Sequence, residues 1–159
     1  MAFDFPKINP VALSLGPLEI HWYALAYVVG FIVAWRLAIH ICKLDKDDPQ
    51  YRPNGYDIDD YLTWAILGVL LGGRIGYVLF YNLPTYFDNP LEALKVWHGG
   101  MSFHGGVIGV VTSLVLYSKI KKVPFWRLAD VAAAVTPLGF FLGRLANFVN
   151  GELYGRVTD

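Results

Sequence analysis

A chain of 159 residues with 55% hydrophobic and 16% charged side chains is too apolar for an ordinary soluble domain, where about 25% of residues are charged. Its 13 Lys and Arg balance 13 Asp and Glu, so no basic surface argues for a nucleic-acid partner. The single cysteine, Cys42, excludes an intramolecular disulfide and a multi-thiolate metal site.

The N-terminal stretch to Ile20 has acidic Asp4, scattered prolines and no cationic region ahead of an apolar one. No cleavable signal peptide is expected, and the first apolar run is expected to serve as its own insertion signal. That run covers about 20–42, and three more follow at about 61–81, 101–118 and 125–149. Crossing a hydrocarbon layer takes roughly 20 residues of helix. The third run is short and glycine-rich in its first half. The fourth contains Pro137, expected either to kink the helix or to join an interfacial piece, Phe125–Ala133, to a span. The expected fold is therefore all-α: a polytopic helical membrane protein with four transmembrane helices, forming a single membrane domain over residues 1–159.

The connectors set the expected orientation. Lys43, Lys46 and Arg52 follow the first run, and Lys119, Lys121, Lys122 and Arg127 follow the third. Residues 82–100 carry only Lys95, and the N-terminal arm only Lys7. Lys and Arg mark cytoplasmic loops, so the first and third connectors belong inside; the N-terminus, residues 82–100 and the stretch after Val149 belong outside. In the outer connector, Asn89, Pro90 and Glu92 fit a capping box. Leu91, Leu94 and Trp97 would share one face of an interfacial helix on the membrane surface. Trp22, Tyr23, Tyr81, Trp97, Trp126 and Tyr154 crowd the span ends as an aromatic belt. Glycines recur every four residues at Gly68, Gly72 and Gly76, at Gly105 and Gly109, and at Gly139 and Gly143, spacings that let helices approach closely in lipid.

Ionisable groups inside spans are costly and are candidates for function. Arg36 and His40, near the cytoplasmic end of the first run, can snorkel to headgroups. Arg74 and Arg144 lie about 12 Å and about 9 Å below the outer ends of their runs at 1.5 Å per residue. Arg144, Asn147 and Gly151 share a helix face with Asn150 beside them. His104 enters the third run among Gly99, Gly100, Gly105 and Gly106, while His21 and Tyr23 open the first. Four runs thus deliver cations, imidazoles, amides and a phenol to one membrane level; the alternative is that these groups pair with one another and only hold helices together. Guanidinium matches phosphate oxygens in paired hydrogen bonds, and phospholipid headgroups lie at that depth. A histidine there could deprotonate a nucleophile. Ser102 and His104, two residues apart, do not face each other on a helix, which argues against a serine protease. No His, Cys or carboxylate spacing suggests a metal.

The segments His21-Trp22-Tyr23, Gly72-Gly73-Arg74-Ile75-Gly76-Tyr77, Gly100-Met101-Ser102-Phe103-His104-Gly105-Gly106 and Gly143-Arg144-Leu145-Ala146-Asn147-Phe148-Val149-Asn150-Gly151-Glu152 resemble the prolipoprotein diacylglyceryl transferases. The last, continuing through Leu153, Tyr154 and Gly155, is similar to that family's signature. The resemblance implies a bacterial inner-membrane enzyme that transfers diacylglyceryl from phosphatidylglycerol to the lipobox cysteine of a preprolipoprotein signal peptide. A thioether forms and glycerol 1-phosphate leaves; membrane lipids are the only other expected partners, and no cofactor is implied. Arg144 is then the residue for the phosphate, and His104 the base or an orienting group for the headgroup. Tyr23, Asn147, Asn150 and Glu152 would position substrates, and Gly155 would serve backbone geometry. Arg74 would bind lipid, or pair with an internal carbonyl or Glu152. Family members are longer, with further spans and another arginine beyond the signature, so the chain is expected to be an N-terminal fragment. A transporter or channel piece would instead carry polar groups across the full depth, whereas here they thin out towards the cytoplasm. A helix-packing scaffold is the third alternative.

Overall fold

The computed structural model describes residues 8–16, 18–44, 53–81, 83–95 and 99–152. Asp4, Lys7, Lys46, Arg52, Trp97, Leu153, Tyr154 and Gly155, named above, lie outside them. The described chain is mostly helical: α1 (Trp22–Leu44), α2 (Gly55–Tyr81), α3 (Leu83–Asp88), a 3₁₀ turn (Pro90–Leu94), α4 (Phe103–Lys121) and α5 (Phe125–Val149). Of these, α1, α2, α4 and α5 are long and apolar enough to cross a membrane. The all-α expectation needs one correction. An antiparallel hairpin, β1 (Val11–Leu15) and β2 (Leu18–His21), precedes α1, in register from Leu15 opposite Leu18 to Val11 opposite His21, with an irregularity between Val11 and Leu13. Gly16, at φ +62°, makes the turn that lets so short a hairpin close.

The chain divides into two compact units, Met1–His40 with Ala132–Asp159, and Ile41–Val131. In the second unit α2 and α4 form the most extensive helix contact, and the glycine spacing explains it. A Cβ on Gly68 would stand 2.7 Å from the carbonyl oxygen of Gly109, and one on Gly76 would stand 2.8 Å from Cα of Gly105. The two backbones therefore touch directly, the arrangement small residues allow in lipid. Towards the α2 N-terminus the seam changes character. Ile58, Tyr61, Leu114 and Tyr117 are buried, together with Val123 and Leu128. The Tyr61 hydroxyl pairs with Ser113 Oγ at 3.2 Å, and Tyr117 Oη donates to the Asp57 carbonyl at 3.1 Å. Lys121 closes that end on Asp60 at 2.6 Å.

The glycines of α5 behave otherwise. A Cβ on Gly139 would meet nothing within 4 Å, and one on Gly143 only the Tyr27 hydroxyl at 3.9 Å, so these two do not form the tight ladder their spacing predicts. The contrast can be measured. Gly109→Ala, whose Cβ would collide with the Gly68 carbonyl oxygen, should lower stability in detergent by about 1–3 kcal/mol, the usual cost of overpacking. Gly139→Ala should be neutral or raise it by up to about 1 kcal/mol through helix propensity. Equal effects on reversible unfolding would remove the α2–α4 seam as the tight contact.

Pro137 does not end α5: the helix runs on from Phe125 to Val149 around it. Proline costs the helix the N–H that would reach the Ala133 carbonyl. The stretch between α2 and α4 also differs from expectation. Asn89 makes no side-chain cap, and the element that follows is a short 3₁₀ turn, with Glu92 paired to Lys95 instead of reaching back. A reciprocal cap does exist at α2, where Asn54 Oδ1 accepts from the Asp57 N–H at 3.1 Å and Asp57 Oδ2 accepts from the Asn54 N–H at 2.9 Å.

Candidate functional site

The polar residues of the first unit gather where α5 ends. Gly151, at φ +66°, reverses the backbone, its N–H bonding to the Phe148 carbonyl at 3.1 Å and the Glu152 N–H to the Asn147 carbonyl at 2.8 Å. This paired closure is the Schellman turn. It folds Glu152 back over the last turn of α5, so that Asn147 Nδ2 donates to one carboxylate oxygen at 3.2 Å and Asn150 Nδ2 approaches the other at 3.5 Å. Asn150 Oδ1 is buried and has no partner among the described residues. A buried acceptor left unpaired is costly unless something outside the protein donates to it.

A cleft of about 420 Å³ opens beside this turn, lined by His21, Tyr23, Ala24, Asn150 and Glu152. Tyr23 is joined to Tyr27, four residues on, by a hydroxyl–hydroxyl contact of 3.1 Å, with ring centroids 4.9 Å apart. Tyr27 was not among the residues singled out by sequence, although the i, i+4 spacing of two phenols could have pointed to it. His21 stands 4.0 Å from Glu19 of the hairpin.

Arg144 lies one turn before Asn147 and is exposed. No hydrogen bond or ion pair engages its guanidinium among the described residues. It lines an apolar groove of about 580 Å³ along α5 with Ala133, Thr136, Pro137, Phe140 and Phe141. The cation thus stands against a wall of mainly apolar side chains, with the Thr136 hydroxyl turned back to the Ala132 carbonyl.

His104 and Arg74 belong to the second unit. Ser102, buried, caps α4 by accepting the Gly105 N–H on its Oγ at 3.2 Å, and is thereby committed to structure. His104, two residues later, is exposed, its ring packed edge-on against Phe103 at 5.8 Å between centroids. Arg74 is the opposite case, only 6% exposed. Its Nε donates to the Ala93 carbonyl at 2.8 Å, and Nη1 to Gly99 at 2.5 Å and Gly100 at 3.1 Å. Nη2 donates to Glu92 at 2.7 Å and Lys95 at 3.3 Å. A guanidinium has five N–H groups, and in this structure all five are directed at main-chain carbonyls. Of the two roles expected for Arg74, pairing with internal carbonyls is the one its geometry serves.

Within the first unit, then, the structure brings together Tyr23, Asn147, Asn150 and Glu152, with Arg144 one turn away on the same helix. Within the second it leaves His104 exposed and consumes Arg74. Gly155 lies outside the described residues.

Comparison with known proteins agrees with these segments. The family model described as prolipoprotein diacylglyceryl transferase matches residues 10–159. The phosphatidylglycerol–prolipoprotein diacylglyceryl transferase of Azospirillum brasilense is 56% identical over 156 residues, covering 98% of this chain and 57% of that protein. The proteins of the same name from Agrobacterium fabrum and Rickettsia felis are 46% and 48% identical, each over 98% of this chain and over 56% and 58% of their own lengths. The chain thus spans little more than half the length of these curated relatives. With a family model matched from residue 10 to residue 159, it belongs to the prolipoprotein diacylglyceryl transferases.

Proposed function

We propose that the protein to which this chain belongs transfers diacylglyceryl from phosphatidylglycerol to the lipobox cysteine of a preprolipoprotein. The observation that carries this reading is the exposed Arg144 guanidinium at an apolar groove. A diacyl phosphodiester has that pairing of chemistry: a phosphate for the fork and hydrocarbon for the wall beside it. The acceptors nearby suit the rest of the headgroup. Glu152 and the orphaned Asn150 Oδ1 ask for hydroxyl donors, and the terminal glycerol of phosphatidylglycerol carries two; Asn147 and Tyr23 hold and flank that carboxylate.

The reaction balances without a cofactor. The cysteine thiolate attacks the glyceryl carbon that bears the phosphate, a C–S bond forms, the C–O bond breaks, and glycerol 1-phosphate leaves with the electron pair. A thiol of ordinary pKa about 8.5 needs a base for that attack, and exposed His104 is the candidate. Purified full-length protein given phosphatidylglycerol labelled in the transferred glyceryl group and a lipobox peptide should label the peptide. The label should survive alkaline deacylation, because a thioether is not an ester. No transfer under these conditions would remove the reading.

The same reading places the protein in the bacterial inner membrane as a multi-pass protein with its N-terminus outside. Its chemistry would face the outer leaflet, and Leu91 and Leu94, both exposed, would rest at the interface. Single cysteines at Asn89 and Lys121, in a Cys42→Ser background, should then react with an impermeant reagent from opposite sides. Labelling of Lys121→Cys from outside intact cells would reverse the orientation.

A further inference from the structure

Arg74 keeps a buried positive charge, and all its hydrogen bonds among the described residues go to main-chain carbonyls. Burying a cation is expensive, and a helix that needed only packing at this position would be served by an apolar side chain. The five carbonyls come from Glu92, Ala93 and Lys95 on one side of the connector and from Gly99 and Gly100 on the other. One planar ion therefore fixes the spacing between the two sides. The rings of Tyr77 and Tyr86, 5.9 and 5.4 Å from the guanidinium carbon, add cation–π contacts.

The path from this clamp to His104 is short and tied at both ends. Gly99 and Gly100 hold φ of +79° and +82°, and a Cβ on Gly100 would strike the Tyr77 ring at 2.5–2.8 Å. Two residues beyond Gly100, the Ser102 N–H donates to the carbonyl of Gly73, the residue next to Arg74, at 2.9 Å. Ser102 then caps α4, and His104 stands in the first turn of that helix. Arg74, Gly99–Gly100 and the Ser102–Gly73 bond make a closed frame, and His104, exposed like Phe103 before it, stands just beyond the cap.

We infer that Arg74 is a positioning residue for the transfer: it binds no lipid, and its fork sets where His104 stands at the head of α4. The inference rests on the role proposed for His104. Lysine cannot replace the fork, since an ammonium offers three donors that do not lie in a plane. Displacing a reacting group by about 1 Å can cost about 10²-fold in rate.

The test uses full-length protein and two variants. Arg74→Lys removes the fork; Gly99→Ala leaves Arg74 in place and strains only the backbone, because nothing lies within 4 Å of the added Cβ. Each should lower kcat about 10–10²-fold while KM for phosphatidylglycerol moves less than about threefold. The double variant should be little worse than Arg74→Lys, as expected for two residues acting through one segment. An arm independent of activity uses spin labels at Leu94→Cys and Ile108→Cys in a Cys42→Ser background, both positions being exposed. The distance distribution should be narrow in the parent and broad in Arg74→Lys.

A raised KM with multiplying effects would mean that Arg74 meets the lipid, overturning the inference. So would an unbroadened distance distribution, or broad distances with normal kcat. If Arg74→Lys does not fold, the kcat and KM of Gly99→Ala decide the matter alone. Absence of transfer by the parent would remove the functional reading, while the spin-label arm would still judge the clamp.

Discussion

Replacing His104 with Gln is expected to slow diacylglyceryl transfer to a lipobox peptide by about 10²–10⁴-fold, the usual reach of a general base, while phosphatidylglycerol still binds. Glutamine keeps the size and some of the hydrogen bonding of the imidazole but cannot take a proton. The side chain is exposed, and its one described contact is the edge-on Phe103 ring, so the substitution should leave α4 intact. The cap that starts the helix belongs to Ser102 and is untouched. Three outcomes separate three roles. Loss of turnover with binding retained identifies the base; parallel loss of both identifies a headgroup contact; lower stability with full activity identifies a packing residue. Full turnover by folded His104→Gln would end the proposal that His104 activates the thiol.

Arg144→Lys should reduce transfer by about 10²-fold, the loss seen when a preorganised donor to a developing anion is removed. The argument turns on geometry, since the charge is conserved. Two parallel N–H groups can follow the phosphate oxygens as the C–O bond lengthens, whereas an ammonium is a point charge. Because no protein group engages Arg144 among the described residues, folding should not suffer, and unfolding curves of variant and parent should coincide. Arg36→Lys is the control. Arg36 lies in α1 with its guanidinium 5.5 Å from the Trp35 ring, and exchange there should be nearly silent. Equal tolerance at both positions would take Arg144 out of the chemistry.

Much of the helical plan can be read from the apolar runs, because a span must be both long and hydrophobic. The boundaries follow other physics. The second run begins at Tyr61 by hydrophobicity, yet α2 starts at Gly55, where Asn54 and Asp57 cap each other and allow a polar first turn. The same capping pattern at Asn89 produced no cap, since Glu92 pairs with Lys95 while its carbonyl is claimed by Arg74. The hairpin over Val11–His21 went unread because two short strands carry little signal beside a 23-residue helix, although Gly16 marks the turn. At the candidate site, the face shared by Arg144 and Asn147 follows from helical periodicity. What periodicity could not supply is the reversal at Gly151 that returns Glu152 to Asn147 and Asn150. Nor could it show that Arg74 is saturated, which depends on carbonyls 18 to 26 residues away in sequence.

The glycine seam between α2 and α4 has a mechanical consequence. Side chains interlocked between helices can change rotamer, so an ordinary interface yields gradually under load and loses conformational entropy when it forms. Glycine has no rotamers to freeze, and the carbonyl of Gly68 already abuts Gly109. Lateral pressure from the bilayer therefore meets a hard stop. Thinning or thickening of the lipid should tilt the two helices together, as one stiff plank, without scissoring them. Gly99, Gly100 and the Ser102 cap, tied to Arg74 and Gly73, would ride on that plank into the first turn of α4 and keep their spacing as acyl-chain length varies.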